Sequence, residues 1–215
     1  MKLIKKLLIL ILGILVIFSL ITLFVIKDIQ VEVTNADLPQ DVYEENGDLL
    51  AIAKAKLIGF AVFHMNDDDY TGIEEFLNYY ILYEIHHELN SDYDSFAETQ
   101  TDATKFIYTY ESFYIDYIFA SITDNDQIEL TISFGSSRFK MLDSALHLYF
   151  DIDVSAPDMS LTLTLTDVYL DTIKIDQSLL DQIFSYLNKD AIEESVTTGT
   201  LDLTNYTYTV GLINP

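Results

Sequence analysis

The sequence predicts an α+β protein, with an N-terminal transmembrane helix followed by a curled, mostly antiparallel sheet packed on amphipathic helices. Three observations carry this expectation. An uncharged apolar run fills residues 7–26, two stretches between residues 49 and 89 repeat apolar residues at helical spacing, and beyond Lys105 the apolar period falls to two.

The apolar run is broken only by Gly13, Ser19 and Thr22. As a helix it is roughly 30 Å long, which matches the hydrocarbon core of a bilayer. Lys2, Lys5 and Lys6 precede it and only Lys27 follows at once, so the positive side is expected in the cytoplasm and the rest of the chain outside the cell. A cleaved secretory signal is the rival reading. The run is longer than the usual apolar region of a signal, and "LFVIKDIQ" offers no small-residue cleavage site. The expected organisation is a cytoplasmic tip and anchor over 1–27, an acidic stalk over 28–48, and an extracytoplasmic α+β domain over 49–215.

The formal charge is −24, and residues 1–27 hold four lysines and no acid, leaving −28 for the remainder. Such a domain repels phosphate backbones, which argues against nucleic acid as a partner. There is no cysteine, so disulfides, thiolate nucleophiles and cysteine-ligated metal are excluded.

Residues 28–48 hold seven acids and Pro39, as befits a lead-in, although "IQVEV" could add an edge strand. Leu49, Leu50, Ala53, Leu57 and Ala61 mark a first helix. A second runs from Gly72 to about Leu89, with Thr71 and Glu74 spaced as a capping box and Ile73, Phe76, Leu77, Tyr80, Ile81 and Glu84 on one side. "NSDYDSFAETQTDATK" reads as a loop. "FIYTYESFYIDYIFASI" then reads as one central strand or long ribbon, apolar on both faces.

In "QIELTISF", Ile128, Leu130, Ile132 and Phe134 share a face, and "TDND" before it supplies a hairpin turn. Leu146, Leu148, Phe150, Ile152 and Val154 share a face opposed by His147, Tyr149, Asp151 and Asp153. Leu161, Leu163 and Leu165 continue the scheme, but Val168 and Leu170 have the opposite parity, so a bulge is expected near Thr166 and Asp167. Leu179, Leu180, Ile183, Phe184 and Leu187 mark an amphipathic helix, and "GTLDLTNYTYTVGL" alternates again.

Chemistry-bearing motifs are few. Glu84 and His87 have the Glu-x-x-His spacing of carboxylate-bridged metal helices, but no second copy accompanies them, so a surface helix end is favoured. Neither Asp67, Asp68 and Asp69 nor Asp124, Asp126 and Glu129 satisfies the calcium-loop pattern of alternating acids, a glycine at the sixth position and a final glutamate. "FGSSRF" is not a nucleophile elbow, and the seven scattered glycines make no phosphate loop. No catalytic residue, metal or cofactor is assigned. The remaining signal is aromatic, with 15 Tyr and 13 Phe. Tyr80, Tyr83, Tyr108, Tyr110, Tyr114, Phe150, Leu163 and Phe184 are the candidate lining of a groove between helices and sheet, the alternative being that these rings are core.

The order of "TDNDQIELTISF", "ALHLYFDIDV" and "SLTLTLTDVYLDTIKIDQSLLDQIFSYL" behind an N-terminal anchor resembles the YpmS-like family of uncharacterised membrane-anchored proteins from low-GC Gram-positive bacteria. The likeness covers about residues 105 to 190 and contains no catalytic signature. Long strands cradling a helix also resemble tubular lipid-binding domains, a likeness of fold alone. The resemblance implies a single-pass protein of the cell membrane with no enzymatic role to carry over.

The expected function is therefore non-enzymatic: an anchored extracytoplasmic domain that binds or presents an apolar envelope ligand, a lipid foremost. The alternative is an envelope scaffold or assembly factor holding a protein partner, and a hydrolase or metal-dependent enzyme comes third.

Overall fold

Alternation and register agree from strand to strand. The computed structural model describes residues 31–45, 47–63, 69–99, 101–138, 143–155, 160–185, 193 and 200–211, less the side chains of residues 183 and 184. In chain order these form α1 (Gln40–Tyr43), α2 (Leu49–Phe63), α3 (Thr71–Glu84) continued by a π-helical turn (Ile85–Leu89), and α4 (Asp102–Lys105). There follow β1 (Tyr108–Tyr110), β2 (Phe113–Ile122), β3 (Ile128–Ser136), β4 (Asp143–Ser155), β5 (Ser160–Leu170), β6 (Ile173–Lys174), α5 (Gln177–Ser185), β7 (Thr200–Asp202) and β8 (Thr207–Gly211). The fold is α+β, with a curled antiparallel sheet ordered β1-β2-β3-β4-β5-β8-β7 and β6 paired to β5. The expected span at 7–26 lies outside the described residues. Among the described residues no helix is long and apolar enough to cross a membrane.

One face of the sheet is apolar by parity. Ile128 pairs with Phe150, Leu130 with Leu148 and Ile132 with Leu146, and all six belong to or pack on the buried core. Between Tyr149 and Phe150 the β4–β5 register shifts. Tyr149 faces Asp167 while Phe150 faces Leu165, leaving Thr166 as the extra residue. The shift returns Val168 and Leu170 to the face of Leu163 and Leu165, which is the bulge that the parity required.

The ribbon expected over 106–122 is instead a hairpin. Glu111 takes a left-handed φ of 53°, and Tyr110 pairs with Phe113 across a two-residue turn. That turn reverses the chain and places Tyr114 on the face opposite Tyr108, although the two residues share parity in the sequence.

Beyond residue 115 the outer edge of β2 has no strand neighbour among the described residues, and side chains complete it. The hydroxyls of Tyr93 and Tyr43 donate to the carbonyls of Asp116 at 2.8 Å and Ile118 at 2.6 Å. Asn78 exchanges two bonds with Ala120, and Glu74 accepts from the Ile122 amide at 3.1 Å. The expected capping box is thus not formed. Thr71 lies inside the helix and bonds Asp69, while Glu74 is drawn to the strand edge. An open edge would be a template for another chain, and here the helices close it.

The deep side of α3 is Ile73, Phe76, Tyr79 and Leu82, continued by Ile85. It is rotated from the expected side because Asn78 must meet β2. Leu77, Tyr80 and Ile81 pack at the flank. The helix α2 buries Ala53, Leu57, Phe60 and Ala61. It approaches α3 closely where a Cβ on Gly72 would lie 3.0 Å from Phe60 Cβ.

The segment expected as a stalk is packed on the domain over residues 31–45. Leu38 and Val42 are buried at 4% and 1% exposure. The Val31 amide donates to Asp171 Oδ1 at 3.1 Å, and Tyr117 donates to Asn35 Oδ1 at 2.5 Å. Tyr117, Ser133 and Ala145 pair in one row across β2 to β4, and Ala145 bonds Asp171 in the turn after β5. Four extended residues span about 14 Å, as do three strand spacings. Residues 31–35 therefore cross the second face of the sheet as a strap instead of adding an edge strand, and Ser133 and Ala145 in that row are buried.

Candidate functional site

The apolar face gathers four of the eight expected groove residues. Tyr80, Tyr108, Phe150 and Leu163 all belong to or pack on one cluster. Tyr80 belongs to an aromatic ladder along α3 and the π turn. Its ring stacks 5.8 Å from Phe76 and lies 6.3 Å from Tyr83, which stacks on His87 at 5.4 Å and 11°. This ladder follows from helical spacing of three and four residues. Burial, then a hydrogen bond to Glu84, pushes the Tyr80 hydroxyl well above its ordinary value, and Tyr208 on β8 adds to the effect. Tyr83 extends the ladder without joining the core cluster.

Around Tyr80 and Tyr208 the apolar face is incompletely covered. Phe150, Ile152, Val154 and Leu165 are half-buried, whereas Ile128, Ile132, Leu161 and Leu170 on the same face are buried. Of the eight residues, Phe150 lies in this half-covered strip at the far end of β4 and β5, Leu163 is buried, and Tyr108 pairs with Ile115 toward the other end of the sheet.

Two expected residues lie elsewhere. Tyr110 stands 54% exposed at the tip of the β1–β2 hairpin. Tyr114 lies on the second face, where its ring stacks on Phe106 at 4.1 Å and its hydroxyl donates to Asp143 at 2.9 Å. That bond reaches across β3 because Gly135 lies between the two partners. A Cβ there would come within 2.5 Å of both the Tyr114 hydroxyl and the Asp143 carboxylate. The hairpin turn is what separates Tyr114 from Tyr108, and strand parity alone could not reveal it. Phe184 falls on α5, its side chain outside the described set.

The second face holds a polar cluster that sequence reasoning passed over. His147 Nδ1 lies 2.6 Å from Glu129 Oε1 and 3.3 Å from Thr131 Oγ1. The hydrogen bond from His147 holds the Glu129 carboxyl below its usual range, more than offsetting its burial. Tyr149 also bonds Glu129 and is raised to about 12, mainly by burial. Alternation sets these residues opposite the apolar face, but only the register, Thr131 opposite His147 and Glu129 opposite Tyr149, joins them.

Carboxylate and hydroxyl meet the same ring nitrogen. A histidine relay to a nucleophile uses its two nitrogens on opposite sides, so this arrangement fixes the imidazole without aligning an attacking group. At the helix end, His87 Nε2 lies 3.4 Å from Glu88 and Glu84 takes the Tyr80 hydroxyl. Among the described residues no group of three or more His, Asp or Glu side chains is arranged to hold a metal ion.

A shallow cleft of about 290 Å³ lies between α2 and α3, lined by Lys56, Gly59, Phe60, Phe63, Gly72 and Glu75 among others. Lys56 and Glu75 bridge it at 2.8 Å. The bond from Glu75 raises the lysine above its ordinary value.

No family model, no curated protein and no solved structure matches this chain.

Proposed function

We propose that the chain is a membrane-anchored extracytoplasmic protein without catalytic activity, whose sheet accommodates an apolar envelope ligand, a lipid foremost. The observation that supports this reading is the half-covered strip of Phe150, Ile152, Val154 and Leu165 beside Tyr80 and Tyr208. A face of this kind offers apolar area for an acyl chain, with tyrosine hydroxyls at its margin for a polar head. The −28 charge of residues 28–215 disfavours recruitment of anionic lipid through a basic patch, so apolar contact carries the affinity.

The experiment uses the whole chain, since residues 31–45 belong to the fold. Protein purified in native-membrane nanodiscs is extracted with organic solvent and compared with an unrelated single-pass anchor. Lipid enriched over that control, and lost in a folded Ile152→Glu variant, supports the reading. An extract matching the control overturns it.

The scaffold reading keeps one observation of its own. Ile58, Val62 and Phe63 on α2 are 50%, 64% and 75% exposed, an apolar stripe suited to a protein partner. Cross-linking from position 62 to one reproducible envelope protein, together with a lipid-free extract, would favour it.

A further inference from the structure

Four strands and two turns place a particular set of side chains at one end of the sheet. Tyr110 pairs with Phe113 and Phe113 with Ser136, while Gly135 pairs with Asp143 and Leu170 with Ile173. The β1–β2 turn, the end of β3, the start of β4 and the β5–β6 turn therefore share this end. Tyr110 and Ile173 stand exposed there at 54% and 41%. Arg138 is exposed just beyond β3, and Lys174 follows Ile173 with its side chain 53% exposed.

The opposite end is acidic. Its turn carries the exposed acids Asp124 and Asp126, and the extension of β4 past β3 carries exposed Asp151 and Asp153. The far end thus carries exposed acids, whereas the first end carries both signs. Acids are not absent from the first end. Glu111 is exposed in the hairpin turn, Asp143 takes the Tyr114 hydroxyl, and Asp167 is ion-paired with Lys174.

The strap enters the fold at this same end, where the Val31 amide bonds Asp171. In the sequence only residues 27–30 separate Val31 from the apolar run that closes at Ile26. Five Cα steps reach at most about 17 Å. If residues 7–26 span a membrane, a domain so tethered cannot roam, and the end that receives the strap stands against the headgroup layer.

We propose that this end of the sheet is a membrane-resting surface, in which Tyr110 and Ile173 enter the outer headgroup region while Arg138 and Lys174 meet lipid phosphates. The proposal rests on residues 7–26 being a membrane span. The occupant is the bilayer because the chain itself leads there within four residues. The exposed groups have the chemistry of an interfacial contact, an aromatic and an aliphatic tip flanked by cations. The acidic far end, with its two aspartates in the β2–β3 turn, is held away from anionic lipid. In this pose the half-covered strip lies toward the far side of the sheet and opens to the envelope space, not to the bilayer.

The sequence has no cysteine, so single probes can be placed in the full chain. Tyr110→Cys, Ile173→Cys and Asn125→Cys variants carry an environment-sensitive fluorophore in phosphatidylcholine–phosphatidylglycerol vesicles, with or without headgroup-nitroxide lipid. The expected result is a blue shift and quenching at positions 110 and 173, neither at 125, and weaker quenching at 173 when Lys174→Glu is added. Equal response of all three probes overturns the proposal. So does shielding of 173 from aqueous iodide without lipid quenching, which would mean a protein contact. Flotation after an alkaline carbonate wash separates the two layers of inference. A chain lost from the vesicles refutes the span and the surface together, whereas a retained chain without quenching refutes the surface alone.

Discussion

Asn78 on α3 and Ala120 on β2 are bonded twice, the side-chain amide donating to the Ala120 carbonyl and accepting from its N–H, each at 2.8 Å. Asn78 is 1% exposed, and its amide occupies the place of a neighbouring strand. Helix and sheet are thereby held in one register by a polar contact inside an apolar interface.

Replacing Asn78 should therefore cost more than its volume. Asn78→Ala leaves a buried donor and a buried acceptor unsatisfied, at about 1–3 kcal/mol for each. Asn78→Asp retains an acceptor for the Ala120 amide but sets a carboxylate against the Ala120 carbonyl. It should be the less stable variant at neutral pH and gain on the alanine variant as the medium is acidified and the carboxyl takes up a proton. Urea unfolding of the chain at two pH values measures this. Equal midpoints for Asn78→Ala and the parent would mean that the pair does not hold the helix.

The carboxyls of Glu74 and Glu129 should impose opposite pH dependences. Burial raises Glu74 from its ordinary 4.5, against the lowering effect of the Ile122 amide. The folded state then holds this proton more tightly than the unfolded state, so stability falls as pH rises from 4.5 through the raised value. Glu129 is held below 4.5 by the bond from His147, so its contribution is present above 4.5 and is lost as pH falls through the lowered value. Glu74→Gln keeps an acceptor for Ile122 without the buried charge. It should be at least as stable as the parent at pH 7 and show no advantage at pH 4. Glu129→Gln should flatten the loss on the acid side. Unfolding midpoints across pH 3 to 8 decide both.

These contacts mark the boundary of what the residues disclose by themselves. The face shared by Ile128, Leu130, Ile132 and Phe134, its continuation through Leu146 to Val154, and the bulge at Thr166 follow from a period of two, because burial enforces parity. Asn78, Tyr43 and Tyr93 gave no such signal. Their role is to complete one particular strand edge, and which edge lies open depends on how the whole sheet is ordered. The face shared by Phe150 and Leu163 was legible from parity, and both belong to or pack on the core. The groove was misread at Tyr114, where a two-residue turn at Glu111 reversed the chain. The strap at 31–35 looked like a stalk because its anchoring partners, Asp171 and Tyr117, lie 140 and 82 residues away from the atoms they bind.

The bulge residue permits a test that separates pattern from shape. Deleting Thr166 would leave Leu161, Leu163, Leu165, Val168 and Leu170 in unbroken alternation, so a flat strand would still bury them all. Thr166 also donates to the Tyr149 carbonyl at 3.1 Å and accepts from Gln127 at 3.2 Å. If the bend matters for fitting the sheet around the helices, the deletion should destabilise by several kcal/mol. Thr166→Ala, which loses only these bonds, should cost about 1 kcal/mol. A deletion no worse than the alanine variant would show that the core accepts a straighter sheet.

Asp171 joins the strap to the sheet from a strained position. Its φ is 52°, in the left-handed region, where a side chain other than glycine costs about 1–2 kcal/mol and Asp or Asn are tolerated best. Its Oδ1 accepts from the Ala145 amide at 3.0 Å and the Val31 amide at 3.1 Å. Three substitutions divide strain from bonding. Asp171→Asn keeps the conformation and an acceptor and should remain near the parent. Asp171→Gly relieves the strain but abandons both amides, and Asp171→Ala abandons them while keeping the strain. The expected order of stability is Asn, then Gly, then Ala, with the alanine variant lower than the asparagine variant by about 2–4 kcal/mol. Hydrogen exchange at the Val31 amide supplies the local readout, slow in the asparagine variant and fast in the other two. Slow exchange in all three would mean that something other than this carboxylate fastens the strap, and the fixed entry of the chain at this end of the sheet would lose its cause.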